Sequence, residues 1–300
     1  MTGWVQGPAA VDAALLATLL VVLSGPLPRA VARWSWPRAS PRLGVLLWVA
    51  VSGAWVLSLV GLLLAVALTP LGRPLLPALV AAVTAPAALS APALAGGLVA
   101  GLALVAVPGA AAVAWARDAC RGSRHASRLD LLGVADRDGD LLVLPAGAPL
   151  AFTLPGWRRG RVVVTRACLE ELSPPEREAV LAHERAHATG AHHLMQAWFL
   201  AWRRLAPLPG PRAAEAAVAV LLEVDADRVA ARVAGPAATA SALYRRCAPA
   251  SGQWRPQPDT LARLRTLARA GAAVPPLVRV SMPSLAAVLL VVPGLLLGRA

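Results

Sequence analysis

The sequence contains no lysine, no asparagine and no isoleucine, and it has only one tyrosine and two phenylalanines. Its 29 basic residues are therefore all arginines, and with 16 acidic residues they give a formal net charge of +13. Cysteine is also scarce, because only Cys120, Cys168 and Cys247 are present, and they form no CxxC pair. This pattern argues against a disulfide framework and fits a domain in a reducing compartment.

Charge of either sign is rare, because charged residues make up 15% of the chain and hydrophobic residues 57%. Soluble proteins are typically about 45–50% apolar, and here the excess collects in long uncharged runs, which predicts a membrane protein. A strong positive charge is also typical of nucleic-acid-binding proteins. However, the arginines lie beside the apolar runs, where anionic lipid headgroups are the simpler partner. We therefore expect membrane lipids as partners and no direct contact with nucleic acid.

Four apolar runs are candidates for membrane-spanning helices, since a span needs about 20 residues. They lie near residues 11–27, 43–68, 93–116 and 282–297. The fourth run is short and contains Pro283 and Pro293. Residues 74–92 are also apolar but are interrupted by prolines, so this stretch is interpreted either as a hairpin or as an interfacial segment.

The distribution of arginine predicts the orientation of these spans. Four arginines and no acidic residue lie between the first two spans, and four more arginines follow the third span within residues 117–128. The intervening loop has only Arg73. Because arginine-rich loops face the cytoplasm, we expect a multi-pass protein of the bacterial plasma membrane. It divides into a membrane region at 1–128, a cytoplasmic domain at 129–271 and a C-terminal span at 272–300.

Short strands and one capped helix organise the cytoplasmic domain. The predicted strands lie at residues 141–144, 151–156 (with a turn) and 161–165. A helix is predicted at 174–189, because Ser173 and Glu176 form a capping box at its start and Gly190 follows its end. The expected fold is a mainly α membrane protein with an α+β domain.

This helix carries an HExxH motif, His183-Glu184-Arg185-Ala186-His187. Because His183 and His187 are four residues apart, they share one helix face, and both imidazoles can reach one Zn²⁺ ion. Glu184, at the edge of that face, is the candidate general base, which takes a proton from the attacking water and delivers it to the leaving amine. We therefore expect one Zn²⁺ per chain.

A catalytic zinc also needs a third protein ligand and an open fourth position. Glu223, in a later and mostly apolar helical stretch, is the candidate for the third ligand. Asp227, four residues on, shares its face and can accept the second ring N–H of a ligating histidine. Glu215 is the rival ligand, whereas Asp225 points to another side of the helix.

The order of spans, strands and the segments AFTLPG, VVVT, LSPPEREAVLAHERAH and EVDAD resembles the BlaR/MecR-type membrane metallopeptidases. It is similar, more distantly, to the HtpX-like and CAAX-prenyl peptidases. The likeness covers roughly residues 41–240 and the last span. It implies a gluzincin (zincin-like) fold, in which a small sheet packs on the active-site helix. It also implies that the metal ligands are His183, His187 and Glu223. Glu184 would be the catalytic base, and Asp227 would be the hydrogen-bond partner of a ligand.

Two features depart from these relatives. The β-lactam sensors carry a penicillin-binding domain after their last span, and only three residues follow it here, so we expect no β-lactam sensing. Related peptidases also use a histidine or tyrosine to stabilise the oxyanion, and no histidine follows His193. Tyr244 is the candidate donor, with Arg245 and Arg246 as alternatives. His192 and His193 are either exposed or auxiliary partners of the metal site.

Together these features predict a membrane-bound zinc endopeptidase that cleaves cytoplasmic or membrane-proximal proteins. The resemblance makes a winged-helix transcriptional repressor in a signalling pathway a candidate substrate. The amphipathic stretch 195–208, with Trp198 and Trp202, is interpreted either as a helix docked on the membrane surface or as a packed helix of the domain. The alternative function is a non-enzymatic receptor or scaffold with a structural zinc, although such a site needs no base at Glu184.

Overall fold

The computed structural model is mainly helical and contains one small sheet, as predicted. It describes residues 8–71, 75–85, 89–131, 134–135, 140–157, 160–190, 192–247, 258–269 and 276–297. The amino-terminal helices are α1 (Pro8–Ser24), α2 (Pro26–Arg33), α3 (Trp36–Ala39), α4 (Pro41–Leu68), α5 (Leu75–Thr84) and α6 (Ala91–Leu129), with a 3₁₀ turn at Thr69–Leu71.

Three segments in the described part of the chain are long and apolar enough to cross a membrane. They are Val11–Arg33, Pro41–Leu68 and Ala91–Leu129, and they coincide with the first three predicted spans. Helix α4 is central, because α1, α6 and the last helix, α13 (Pro276–Leu297), all pack against it. Helix α6 has 39 residues, so it extends about 58 Å and continues well beyond the hydrocarbon core of a bilayer.

The fourth predicted span is only roughly matched. Helix α13 packs closely on α4, since a Cβ atom at Gly53 would meet Leu290 Cδ2 at 2.7 Å. Helix α13 has 22 residues, and Ser281–Pro293 is the apolar stretch found within its fully described part. The stretch at 74–92 contains α5, whose 10 residues are too few to cross a bilayer as a helix. Residues 86–88 of that stretch lie outside the described residues.

The second half of the chain supplies the sheet and the helices packed on it. Its elements are β1 (Val134–Ala135), β2 (Leu141–Leu144), β3 (Ala151–Leu154), β4 (Arg161–Thr165), α7 (Arg166–Glu171), α8 (Pro174–Thr189), α9 (His192–Leu205), α10 (Pro209–Ala234), α11 (Pro236–Cys247) and α12 (Pro258–Ala268). The strand order is β1-β2-β4-β3, with β2 parallel to β4 and β3 antiparallel to β4 at one edge. The three predicted strands are confirmed, and α8 packs against β3 and β4.

Helix α8 begins with the predicted capping box. The backbone N–H of Ser173 donates to a carboxylate oxygen of Glu176 over 2.8 Å. The buried Glu176 also accepts hydrogen bonds from Ser241 Oγ and from Arg245 Nε, both on α11. The hydrogen bond from Ser241, with those from Ser173 and the charge of Arg245, lowers the pKa of Glu176 to about 2. The ionised Glu176 therefore fastens α11 to the first turn of α8.

We expect Glu176→Gln to lower the free energy of unfolding by about 1–3 kcal/mol at neutral pH, because charge-assisted hydrogen bonds are lost. The carboxylate stabilises the folded protein above its ordinary pKa of 4.5, and this effect is lost as the pH falls towards the folded pKa of about 2. Thermal unfolding of the two proteins should therefore converge over that range. Glu178→Gln, exposed on the same helix, should cost less than about 0.5 kcal/mol. Equal losses in both variants would contradict this role of Glu176.

Helices α9 and α10 form a hairpin that packs between α4 and α6. Trp198 Nε1 donates to Ser52 Oγ of α4 over 2.9 Å, and the rings of Trp202 and Trp55 lie 5.9 Å apart. Trp55 lies about 21 Å along the axis of α4 from its first residue, at 1.5 Å per residue. The hairpin therefore reaches the level of the middle of a membrane span.

The hairpin and the spans share one hydrophobic core. Its buried members include Trp48 of α4, Val107 of α6, and Phe199 and Trp202 of α9. Residues 195–208 therefore lie mostly in a packed helix, as one interpretation predicted, but its packing partners are α4 and α6 and not only the peptidase domain. This packing joins the peptidase half of the chain directly to the membrane region.

Candidate metal centre

Both histidines of the HExxH motif point to the same place beside α8. Their Nε2 atoms lie 3.3 Å apart. This proximity follows from the helical repeat, because side chains four residues apart are neighbours on one face. His183 is buried and His187 is half-buried. The predicted pair of nitrogen donors is therefore brought together by α8 alone.

Glu223 reaches this pair from α10, which packs against α8. One of its carboxylate oxygens lies 3.5 Å from His183 Nε2, and the other lies 3.4 Å from His187 Nε2. The Glu223 side chain is 34% exposed, so the cluster is open on one side. These three residues can offer ligand atoms to one metal ion. The rival Glu215, about two turns earlier on α10, is paired with Arg203 instead.

The distances between these donor atoms fit a tetrahedral zinc site. Donors held about 2.1 Å from a tetrahedral zinc lie about 3.4 Å from one another. Here the two histidine nitrogens lie 3.3 Å apart, and each faces a different oxygen of Glu223, at 3.5 Å for His183 and 3.4 Å for His187. Two histidine nitrogens and one glutamate oxygen are also a donor set of catalytic zinc sites, which keep the fourth position open. The residues present therefore fit the ion.

Asp227 lies behind His183, and Arg263 of α12 lies behind both acidic residues. His183 Nδ1 is 3.0 Å from Asp227 Oδ1, so Nδ1 can donate to this carboxylate, and Nε2 is the ring nitrogen that faces Glu223. Arg263 donates to both oxygens of Asp227 over 2.7 Å, and its Nη1 lies 2.8 Å from Glu223 Oε2. No motif or spacing in the sequence pointed to Arg263, because it is 36 residues from Asp227 and on another helix.

The electrostatics of the cluster favour a cation. Burial alone would raise the pKa of the Glu223 carboxyl, but hydrogen bonds from His183 and His187 and the charge of Arg263 hold it below its ordinary value. Burial likewise opposes ionisation of Asp227, and Arg263 and His183 outweigh it and lower its pKa. Two carboxylates are therefore ionised beside two histidines and one arginine. A divalent cation at the histidine nitrogens would be held by this negative charge.

Glu184 is buried beside the cluster, on the side of α8 that faces β3. Thr153 Oγ of β3 lies 2.8 Å from the backbone oxygen of Glu184 and 3.0 Å from one of its carboxylate oxygens. The hydroxyl proton can donate to either oxygen. Thr153 was predicted only as part of a strand, and the packing of β3 on α8 gives it a position beside the candidate base.

A cavity of about 880 Å³ opens over the centre, and His183, Glu184, His187, Glu223 and Arg263 all line it. Its other walls come from β3, the end of α6 and the hairpin of α9 and α10. Because β3 is an edge strand, its outer side is free to face this cavity. The polar end of α6, which continues from the third apolar segment, therefore forms one wall of the space above the metal centre.

Two of the predicted oxyanion donors, Tyr244 and Arg245, do not line this cavity. Tyr244 on α11 is 48% exposed, and it is not among the residues that line the cavity. Arg245 is held by Glu176 at the start of α8, and the side chain of Arg246 lies outside the described residues. Arg263 is the cationic donor that lies next to the cluster.

Comparison with known families agrees with this geometry. The model of peptidase family M48 matches residues 135–208, which run from the sheet through α8 to just beyond α9. This part of the chain is therefore similar to peptidase family M48. No curated protein and no solved structure matched the chain.

The M48 match confirms the resemblance inferred from the sequence, because this family contains the BlaR- and HtpX-type metallopeptidases. With the three apolar helices, it shows a membrane-associated metallopeptidase. The match includes the HExxH motif but ends before Glu223, Asp227 and Arg263. The assignment of these three residues therefore depends on their geometry alone.

Proposed function

We propose that the protein is a zinc endopeptidase that cleaves membrane-proximal proteins on the cytoplasmic side of the membrane. The observation that supports this most directly is the triangle of donor atoms from His183, His187 and Glu223, which faces a cavity beside Glu184. A structural zinc site has a closed set of four ligands, whereas these three residues leave one position open. The buried carboxylate next to that position favours hydrolysis over a receptor or scaffold role.

The residues around the centre have distinct tasks in this proposal. When bound, Zn²⁺ polarises the scissile carbonyl and makes water a better nucleophile at neutral pH. Glu184 accepts a proton as the water oxygen bonds to the carbonyl carbon, and it delivers this proton to the nitrogen as the C–N bond breaks. Thr153 holds the Glu184 carboxylate in place, and Asp227 maintains the proton on His183 Nδ1.

Arg263 is the oxyanion donor that we propose in place of Tyr244. Its Nη1 lies 2.8 Å from Glu223 Oε2 at the wall of the cavity, and its two other nitrogens are fixed by Asp227. A guanidinium held in this way is preorganised, so it can stabilise negative charge on the scissile carbonyl without rearrangement.

We expect Arg263→Gln to lower kcat by about 100-fold, the usual cost of removing one oxyanion donor. Tyr244→Phe should leave kcat and KM unchanged, because this side chain lies outside the cavity lining. Both are measured with the purified full chain and a quenched fluorescent peptide. A loss of kcat in Tyr244→Phe without a loss in Arg263→Gln would contradict this assignment and indicate that Tyr244 is the oxyanion donor.

The position of the centre supports substrates at the bilayer surface. Arg42, in the first turn of span α4, lies 3.3 Å from Asp225, two residues after the ligand Glu223. The cavity is walled by α6 and by the hairpin that packs among the spans. A peptide held next to the membrane therefore has a short path to the site. The resemblance to BlaR/MecR-type peptidases supports a transcriptional repressor in a signalling pathway as one such substrate.

The full chain reconstituted in liposomes tests this proposal with one peptide in two forms, free and anchored to the bilayer by an acyl chain. We expect cleavage that a zinc chelator abolishes and added Zn²⁺ restores, with the anchored form cleaved at least about tenfold faster because of its higher local concentration. No cleavage of either form, or cleavage that survives chelation, would contradict the zinc endopeptidase. Equal rates would contradict only the membrane-proximal substrate.

A further inference from the structure

A third histidine is buried at the metal centre, outside the HExxH motif. His192, the first residue of α9, is 7% exposed, and its Nδ1 lies 2.9 Å from Nδ1 of His187. The two rings are nearly perpendicular, at 85°. A Cβ atom at Gly190 would meet His192 Cδ2 at 2.9 Å and His192 Nε2 at 3.0 Å. Glycine at this position therefore leaves room for the His192 ring beside His187.

The contact between these rings determines where their protons lie. As a ligand of the metal, His187 would offer the lone pair of Nε2 to the ion, so the proton of its neutral ring would be on Nδ1. That Nδ1–H can donate only if Nδ1 of His192 is unprotonated and accepts the hydrogen bond. The proton of a neutral His192 is then on Nε2, on the opposite side of its ring.

An acidic residue lies on that opposite side. Asp225 Oδ2 is 3.6 Å from His192 Nε2, and Asp225 Oδ1 is 3.3 Å from Arg42 Nε at the start of α4. Asp225 and His192 are mostly buried, whereas the Arg42 side chain is 77% exposed. Behind His183 lie an acidic residue, Asp227, and then an arginine, Arg263. Behind His187 the same order is found, with His192 inserted before the acidic residue and the arginine.

We propose that His192, with Asp225 behind it, is the positioning residue of the candidate zinc ligand His187. It accepts the Nδ1 proton of His187 and so fixes both the tautomer and the ring orientation of this ligand. The proposal rests on the metal centre described above. It gives Asp225 a role in the site although this residue faces away from the donor triangle. Arg42 adds little, because exposed ion pairs contribute weakly.

Zinc affinity of the purified full chain, measured by competition with a chromophoric chelator, tests this role. We expect His192→Phe, which retains a ring but no acceptor, to weaken Zn²⁺ binding about 10- to 100-fold, as loss of a ligand's hydrogen-bond partner does. His192→Asn should remain within about threefold of wild type, because Oδ1 of asparagine replaces Nδ1 as acceptor. His193→Ala, next to it, is the matched control and should bind like wild type.

Each result supports or overturns the proposal. Equal affinity of His192→Phe and wild type would overturn it. A loss in His192→Asn as large as in His192→Phe, with an equal fall in the melting temperature of the metal-free protein, would show a purely structural role. A Co²⁺ spectrum that changes coordination number in His192→Asn would show a direct ligand and also overturn it. A wild-type chain that binds no zinc would instead overturn the metal centre itself.

Discussion

The Glu184→Gln variant should bind one Zn²⁺ per chain as wild type does and lose peptidase activity by about 100- to 10,000-fold, the range that general acid–base catalysis supplies. The amide is almost the same size as the carboxylate and can still contact Thr153, so the fold and the donor triangle should persist. What it cannot do is accept a proton from water at neutral pH. The loss should therefore appear in kcat, with KM nearly unchanged.

The measurement compares kcat with metal content in the same preparation. Glu178→Gln is the matched control, because this glutamate is exposed on the same helix. Full activity in Glu184→Gln would exclude a catalytic base at this position. Loss of zinc together with activity would show that Glu184 supports the metal site itself.

The Glu223→Ala variant should lose Zn²⁺ affinity by more than about 100-fold, because removing a ligand costs more than the 10- to 100-fold effect of removing its partner. Activity should fall with the metal. Alanine also removes the carboxylate that faces Nε2 of both His183 and His187.

Glu215→Ala is the discriminating control, because Glu215 was the rival ligand and also lines the cavity. It pairs with Arg203 across the hairpin, so its loss should leave zinc affinity unchanged and affect stability at most. Chelator competition on both variants and the wild type separates the two assignments. Loss of zinc in Glu215→Ala with retention in Glu223→Ala would reverse them.

The sheet and the catalytic helix follow from local patterns in the chain. The alternating and apolar runs at 141–144, 151–154 and 161–165 are strands, and the capping box at Ser173 begins α8 where expected. Hydropathy alone was sufficient for the three clear spans, because length and apolar composition suffice to recognise such a helix. The fourth predicted span, at residues 282–297, was harder to recognise because its apolar run in the sequence is short.

What the sequence by itself determined about the site is the part that lies within single helices. The helical repeat places His183 beside His187, and it places Asp227 on the same face as Glu223. The two residues of each pair are one turn apart on the same helix, so their proximity can be predicted without knowledge of the remaining fold.

Only the tertiary structure decided which residues from other elements meet these pairs. Arg263, Thr153 and His192 come to the centre because α12, β3 and α9 pack around α8 and α10, and no spacing in the chain encodes those crossings. The insertion of the α9–α10 hairpin among the spans was decided in the same way. Its apolar face suited either a membrane surface or a packed core, and the structure buries Phe199 and Trp202 of this face in the core shared with α4 and α6, which removes their apolar surface from water.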